Sequence, residues 1–427
     1  MEYWKGLSAL GERPPAYASS FTPLQVPSDA WQQRLDLIAS AKTTIINTVY
    51  IIEPDMYGEA YIDALIAARK RGVAVTLVVD FLAHHGWCTT YEIDEVARLD
   101  KKLKALSAAG GVIAWYAPPI EQVNRLGRGM HFKSLIVDGQ TAIYGGRNVG
   151  ESYAVKWGDF EARLQGTIVG SLGAETIAIM RHADPTLGVP ITQHDEAKRA
   201  YAKRLEEALV EIKRNFIVAR SENAAHALRG EPRGMMLQLV VCDPLREGSL
   251  FERGPNRVSQ ALIETFTRAR TSITLTSNYV NASESLQNIL IAAAKRGVKV
   301  TVISAGPNAN TKSNIPYVNA SSSYPALLAA GVRIFETRIL DHSKVYLVDD
   351  TVAAFGSYNL EKPADGPLVE GLMFSDDPAL VQNAKQHLDA IIATNADLYV
   401  PPRRLSFWAA IADWFKRFFY GLLSPFI

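Results

Sequence analysis

His131-Phe-Lys-Ser-Leu-Ile-Val-Asp138 and His342-Ser-Lys-Val-Tyr-Leu-Val-Asp349 carry one sparse pattern twice. Each runs on into a small-residue turn that ends in asparagine, Gly145-Gly-Arg-Asn148 and Gly356-Ser-Tyr-Asn359. Histidine and asparagine stand 17 residues apart in both copies, and a later acid, Asp159 or Glu370, stands 28 after each histidine. A lone His-x-Lys-x4-Asp arises by chance about once in 8,000 start positions; two copies with matched partners do not. The residues between them differ widely, so a few side chains are held to a chemistry and the rest to a fold.

The side chains name the chemistry. Histidine titrates near neutrality, so one imidazole can attack while another donates a proton. Lysine is a compact cation with three donors, suited to phosphate oxygens, and asparagine adds a neutral donor. His131, Lys133, Asn148, His342, Lys344 and Asn359 together suit an anionic group that gains negative charge in its transition state, which is phosphoryl transfer. This set requires no metal and no cofactor. Asp159 and Glu370 are expected to accept a hydrogen bond, each from the histidine of its own copy, fixing tautomer and orientation. Asp138 and Asp349 close their strands and fall on the face opposite the lysine, so a turn-fixing role is expected. Arg147 and Tyr358, in the variable slot before asparagine, suit either a substrate contact or local packing.

On these residues the chain resembles the phospholipase D superfamily, whose signature is a duplicated His-x-Lys-x4-Asp followed by a Gly-Gly/Ser-x-Asn segment. The stretch from His131 to Gly150 is most like the bacterial cardiolipin synthase and phospholipase branch. The resemblance covers roughly residues 35–180 and 255–400. It implies two phospholipase-D-like α-β-α sandwich domains in pseudo-twofold arrangement, with a single active site at their interface. It also implies a phosphohistidine intermediate with His131 as nucleophile and His342 as acid and base, although the equivalence of the two halves leaves the attacking residue open. The function it implies is a phospholipid phosphodiesterase or phosphatidyltransferase. A nuclease would use the same chemistry, and a non-catalytic membrane-binding module is the alternative of another class. The net charge of +1 counts against nucleic acid as partner, and complete motifs in both halves count against an idle module.

The repeat is larger than the motifs. Ile66-Ala-Ala-Arg-Lys-Arg-Gly-Val matches Ile291-Ala-Ala-Ala-Lys-Arg-Gly-Val, a helix closing on Gly72 or Gly297 before a β-branched strand. Further strands are read at 41–50 and 269–278, 111–115 and 331–335, 134–138 and 345–349, and 141–144 and 352–355. Strands alternating with helices make each half an α/β layer structure. The domain reading is 1–34 as N-terminal extension, 35–193 and 235–402 as the two domains, 194–234 as a solvated helical connector and linker, and 403–427 as an amphipathic helix. The first half holds 14 more residues between glycine and histidine, 59 against 45, and 84–100 is the expected site of that insertion. His84-His85-Gly86-Trp87-Cys88 within it reads as a channel-bordering loop rather than a metal site, because adjacent histidines diverge on an extended chain.

With 427 residues, 48% hydrophobic and 21% charged, the chain has the composition of a globular protein large enough for two cores. Its two cysteines, Cys88 and Cys242, suggest no disulfide framework. No basic-then-apolar leader opens the chain and no run reaches about 18 uncharged apolar residues. A cytoplasmic, peripherally membrane-associated protein is expected, with a phospholipid substrate and monomer as a plausible state. The end of the chain bears on this. Trp408, Ile411, Phe415, Phe418, Phe419 and Leu422 recur at helical spacing, with Arg403, Arg404, Lys416 and Arg417 as charge. Such a helix packs on its own domain, lies in a membrane interface or meets another copy; three internal charges argue against spanning.

Overall fold

In the helix Met56–Lys70, Asp55 caps the free N–H groups of Tyr57 and Gly58, and the chain leaves through Gly72 in a left-handed conformation (φ 95°). Glu284–Lys295 ends the same way at Gly297 (φ 92°). The glycine reverses the chain and feeds a β-branched strand buried after its first residue, as the repeated sequence requires. The computed structural model describes residues 2–117, 128–231, 233–246, 255–309 and 315–401. The terminal segment 403–427 lies outside the described residues. No described helix is long and apolar enough to cross a membrane.

The strands of the first half are β1 Ala16–Leu24, β2 Thr44–Val49, β3 Ala74–Asp80, β4 Val112–Tyr116, β5 Gly129–Met130, β6 Lys133–Val137, β7 Thr141–Gly145 and β8 Glu161–Gly166. Those of the second are β9 Met235–Cys242, β10 Ser272–Thr276, β11 Lys299–Ala305, β12 Arg333–Thr337, β13 Val345–Val348, β14 Val352–Gly356, β15 Leu368–Ser375 and β16 Ala396–Leu398. They form one sheet in the order β16-β12-β11-β10-β13-β14-β15-β9-β1-β8-β7-β6-β2-β3-β4, with β5 paired to β15. The run β8-β7-β6-β2-β3-β4 mirrors β15-β14-β13-β10-β11-β12. Parallel β2-β3-β4 and β10-β11-β12 carry crossover helices, which need both faces of the sheet covered. Every strand pair expected from the repeat is present.

The join between the halves comes from the strand that opens each of them. Within the residues read as an N-terminal extension, β1 pairs antiparallel with β9 (Ala16 opposite Leu237), with β8 on its other side. An aromatic seam runs under the same line: Phe132–Tyr144, Tyr144–Phe355 and Phe160–Phe355 ring centroids lie 5.3, 6.1 and 5.3 Å apart. Such contacts contribute about 0.5–1.5 kcal/mol each beyond their buried area. The approach is close enough that a Cβ on Gly371 would come within 2.7 Å of the Tyr144 hydroxyl and 2.8 Å of the Phe132 ring.

Three expectations are corrected. Residues 81–88 form a helix capped by Asp80, not a loop. The extra residues of the first half lie mainly after β4, which ends 15 residues before His131, whereas β12 ends five before His342. The helix His194–Leu228 is not solvated throughout: Tyr201, Leu205, Ala208 and Ile212 are buried, and Glu211 bonds Thr43 and Thr44 at the end of the first half remote from its histidine.

Candidate active site

The two motifs meet at the seam because each histidine is delivered by its own half and held by the other. The backbone N–H of His342 donates to Gly158 O at 2.7 Å, and that of Gly129, just before His131, to Pro367 O at 3.1 Å. The acids follow the same crossing. His131 Nδ1 lies 2.8 Å from Glu370 Oε1, and His342 Nδ1 lies 2.8 Å from Asp159 Oδ2. The expectation that each acid serves its own histidine is thereby overturned. Equal spacing in the two copies is compatible with own or swapped pairing; the antiparallel meeting of the halves selects the swap.

The geometry orders the tautomers. His131 Nδ1 also lies 3.0 Å from the carbonyl oxygen of Ser357, which can only accept, and His342 Nδ1 faces the Asp159 carboxylate, so each Nδ1 carries the proton and each Nε2 is left with its lone pair. Glu370 is itself set by Ser357, whose hydroxyl donates to Oε2 at 2.5 Å, while Phe160 N–H donates to Asp159 Oδ1 at 2.7 Å. Tyr50 packs edge-on against His131 at 4.6 Å, and Tyr153 against His342 at 5.1 Å, with Trp157 stacked on the latter ring at 6.4 Å. Aromatic packing on one side and an acid on the other leave each imidazole little rotational freedom.

Both lysines are buried. Lys133 Nζ donates to His131 O at 2.6 Å and lies over the Tyr50 ring. Lys344 Nζ donates to His342 O and, at 3.2 Å, to Asn278 Oδ1, and stands 3.0 Å from His342 Nδ1. Tyr50 and Asn278 occupy equivalent positions just beyond β2 and β10, a pairing the repeat alignment already contained. Asn148 sits beside Tyr153, its Nδ2 donating to the hydroxyl at 3.0 Å; Asn359 Nδ2 donates to Glu361 Oε1 at 2.6 Å.

Charge is costly among these buried groups. Burial first, then Lys133, Lys344 and His342, holds His131 well below the usual imidazole range. Burial, Lys344, Lys133 and Arg147 do the same to His342. Burial pushes Glu370 up to about 8 against the pull of Lys133, and brings Lys344 down to about 8 against that of Asp159. An anion placed among these groups would restore both ammonium charges and raise the imidazoles. The arrangement is therefore suited to an anionic, oxygen-rich group.

Asp138 and Asp349 are remote from this centre. Each sits in a left-handed turn (φ 53° and 54°), and its carboxylate collects three backbone N–H groups, from Lys42, Thr43 and Thr44 or from Arg270, Thr271 and Ser272. Arg147 is spent on the carbonyls of Tyr153, Trp157 and Asp159 and on Glu161; Tyr358 bonds Ser259. His84 is buried against Trp115 and Cys88, and the described residues hold no cluster suited to a metal. Sequence reasoning passed over Tyr50, Tyr153, Trp157, Ser357 and Glu361.

A family profile described as "Cardiolipin synthase, PLD-like domain" matches residues 35–161 and 262–392. The chain belongs to this phospholipase-D-like family. The two matched stretches fall one in each half of the sheet, each with one histidine motif. The chain is 27% identical over 344 residues to the major cardiolipin synthase of Bacillus subtilis, covering 78% of this chain and 60% of that one. It is 25% identical over 403 residues to cardiolipin synthase B of Escherichia coli, covering 91% and 85%. The chain thus spans about 60% of the length of the Bacillus relative. The solved phosphatidylserine synthase of Haemophilus influenzae shares the fold, with a TM-score of 0.68 over the full length of both chains at 14% identity.

Proposed function

We propose that the chain is a phospholipid phosphatidyltransferase that carries the phosphatidyl group on histidine and delivers it to an alcohol or to water. The observation that carries this reading is the pair of crossed His–acid contacts, which brings two oriented imidazoles together with two buried lysines at the seam. The names of the relatives, cardiolipin synthases and a phosphatidylserine synthase, support a phospholipid as the donor.

His131 attacks with its Nε2 lone pair. The bond between phosphorus and the leaving alcohol oxygen breaks, and His342, protonated on Nε2, gives its proton to that oxygen. In the second step an acceptor hydroxyl loses its proton to His342 and attacks phosphorus, and the phosphorus–nitrogen bond returns its electrons to His131. The roles need opposite protonation, and burial beside the two lysines favours the neutral form of both imidazoles. The bound phosphodiester provides the negative charge that raises His342 toward its acid form. Lys133, Lys344, Asn148 and Asn359 hold the phosphoryl oxygens as charge develops. Action at a membrane surface, with 403–427 as the contact, completes the proposal.

The test is lipid mass spectrometry after incubation with mixed phospholipids, with and without added alcohols. Phosphatidic acid or a new phosphatidyl alcohol, absent with His131→Ala, is expected. An enzyme inert on phospholipids but active on oligonucleotides would overturn the reading.

A further inference from the structure

The two halves differ beside their asparagines. In the first half, position 150 is glycine, and a Cβ there would overlap the side chain of Glu53. Glu53 is fully committed: Oε1 accepts from Ser152 Oγ at 2.8 Å and Trp87 Nε1 at 3.2 Å, and Oε2 from Ser152 N–H at 2.9 Å. In the second half the equivalents are reversed. Asn281 stands where Glu53 does, since the N–H groups of Glu53 and Asn281 donate to Val149 O and Leu360 O respectively. The carboxylate comes instead from Glu361, two residues after Asn359. One acid thus reaches each asparagine loop from opposite chain positions, and only the first is saturated.

Glu361 uses Oε1 on Asn359 Nδ2 at 2.6 Å, and no described residue donates to Oε2. Asn359 Oδ1 is buried with no hydrogen-bond partner. Two acceptors without donors therefore stand together beside Lys344, which lies close enough to favour the ionised form of Glu361, although burial raises its proton affinity overall. A bare phosphoryl group has only acceptors to offer, so it is the wrong complement for these two oxygens, although the second Nδ2–H of Asn359 can still serve a phosphoryl oxygen.

We propose that Glu361, with Asn359 Oδ1, reads a second hydrogen-bond donor on the alcohol that leaves or enters, so that alcohols carrying a neighbouring hydroxyl are selected over simple ones. This rests on the phosphatidyltransferase reading and names the residues that set its acceptor preference. The alcohol's reacting oxygen meets His342 while its second hydroxyl donates to the open carboxylate oxygen. The mirror position offers no such contact, because Glu53 is occupied, so the alcohol-reading corner belongs to the second half alone.

The experiment is a competition in one tube. The full chain receives mixed micelles of phosphatidylcholine with equimolar glycerol and 1-propanol, and the two phosphatidyl alcohols are measured by mass spectrometry. The wild-type product ratio should favour glycerol about tenfold or more, the scale of one hydrogen bond to a charged group. Glu361→Met should bring the ratio close to one. Because the ratio is internal, loss of active protein in the variant does not alter it. A wild-type ratio near one, or a ratio unchanged in Glu361→Met, overturns the proposal while leaving the transferase reading intact. In a second tube with ethanolamine in place of 1-propanol, ethanolamine taken in preference to glycerol would also overturn it in favour of an ammonium-reading site. A wild type that forms no product from any phospholipid, with or without alcohols, sinks the underlying reading itself.

Discussion

Replacing Asp159 and Glu370 separately should slow different steps, because each acid orients the other half's histidine. Each contact is a buried 2.8 Å hydrogen bond to a carboxylate. Losing one removes about 1.5–3 kcal/mol, or about 10- to 150-fold in rate. The amide variants should do worse, toward about 10⁴-fold, since an amide N–H can force the wrong tautomer on its imidazole. The assay is rapid-quench kinetics on a phosphodiester with p-nitrophenol as leaving group, which departs without help from an acid. Glu370→Gln disables His131, so the burst of p-nitrophenol should vanish. Asp159→Asn disables His342, so the burst should persist and the steady state should fall, with the intermediate accumulating. A lost burst in Asp159→Asn with a retained one in Glu370→Gln would refute the assignment. Equal effects on both phases in both variants would refute the crossed pairing as a functional device.

Further outcomes follow from the same geometry. Lys344 is cationic below about 8 and neutral above, and Glu370 becomes anionic over the same range, so both changes oppose an anion as pH rises. The Kd of a non-reactive diester such as dimethyl phosphate, measured by calorimetry, should weaken through pH 8. Asp138→Ala strips three backbone N–H groups of their acceptor and should cost about 1–2 kcal/mol in denaturant unfolding, with Asp138→Asn milder because asparagine tolerates the left-handed turn. Burial alone would raise the Asp138 carboxyl, but those donors outweigh it and lower the folded value below the unfolded one, about 3.9. Its stabilisation is thus present above that value and lost as pH falls through the folded one. Deleting 405–427 should reduce binding to anionic vesicles in a flotation assay while sparing hydrolysis of a soluble diester.

The fold was legible because a repeat states it twice. Ile66–Val73 and Ile291–Val298 announce one helix–glycine–strand unit in two places, and a duplicated unit with one motif each implies a shared centre. β1 was not legible: Ala-Tyr-Ala-Ser-Ser-Phe-Thr-Pro-Leu has no clean alternation, and its place is settled by β8 and β9, which lie far away in sequence. The exchange of Asp159 and Glu370 was hidden because spacing measures distance along one chain segment, while the partner lies across the seam. Glu361 escaped notice for the opposite reason. Its mirror is Gly150, so a search for matched residues discards it, although it departs from symmetry at a position beside the reacting centre. The helix 81–88 was misjudged from its paired histidines; Asp80, which caps it, was the signal to read.

The most direct test of the account is the position of the covalent adduct. His342→Asn, mixed briefly with a phospholipid and quenched at alkaline pH, should carry one phosphatidyl group, and peptide mapping should place it on His131. An adduct on His342 in the His131→Asn variant, with none on His131 in the reciprocal one, would contradict the assignment of the two halves.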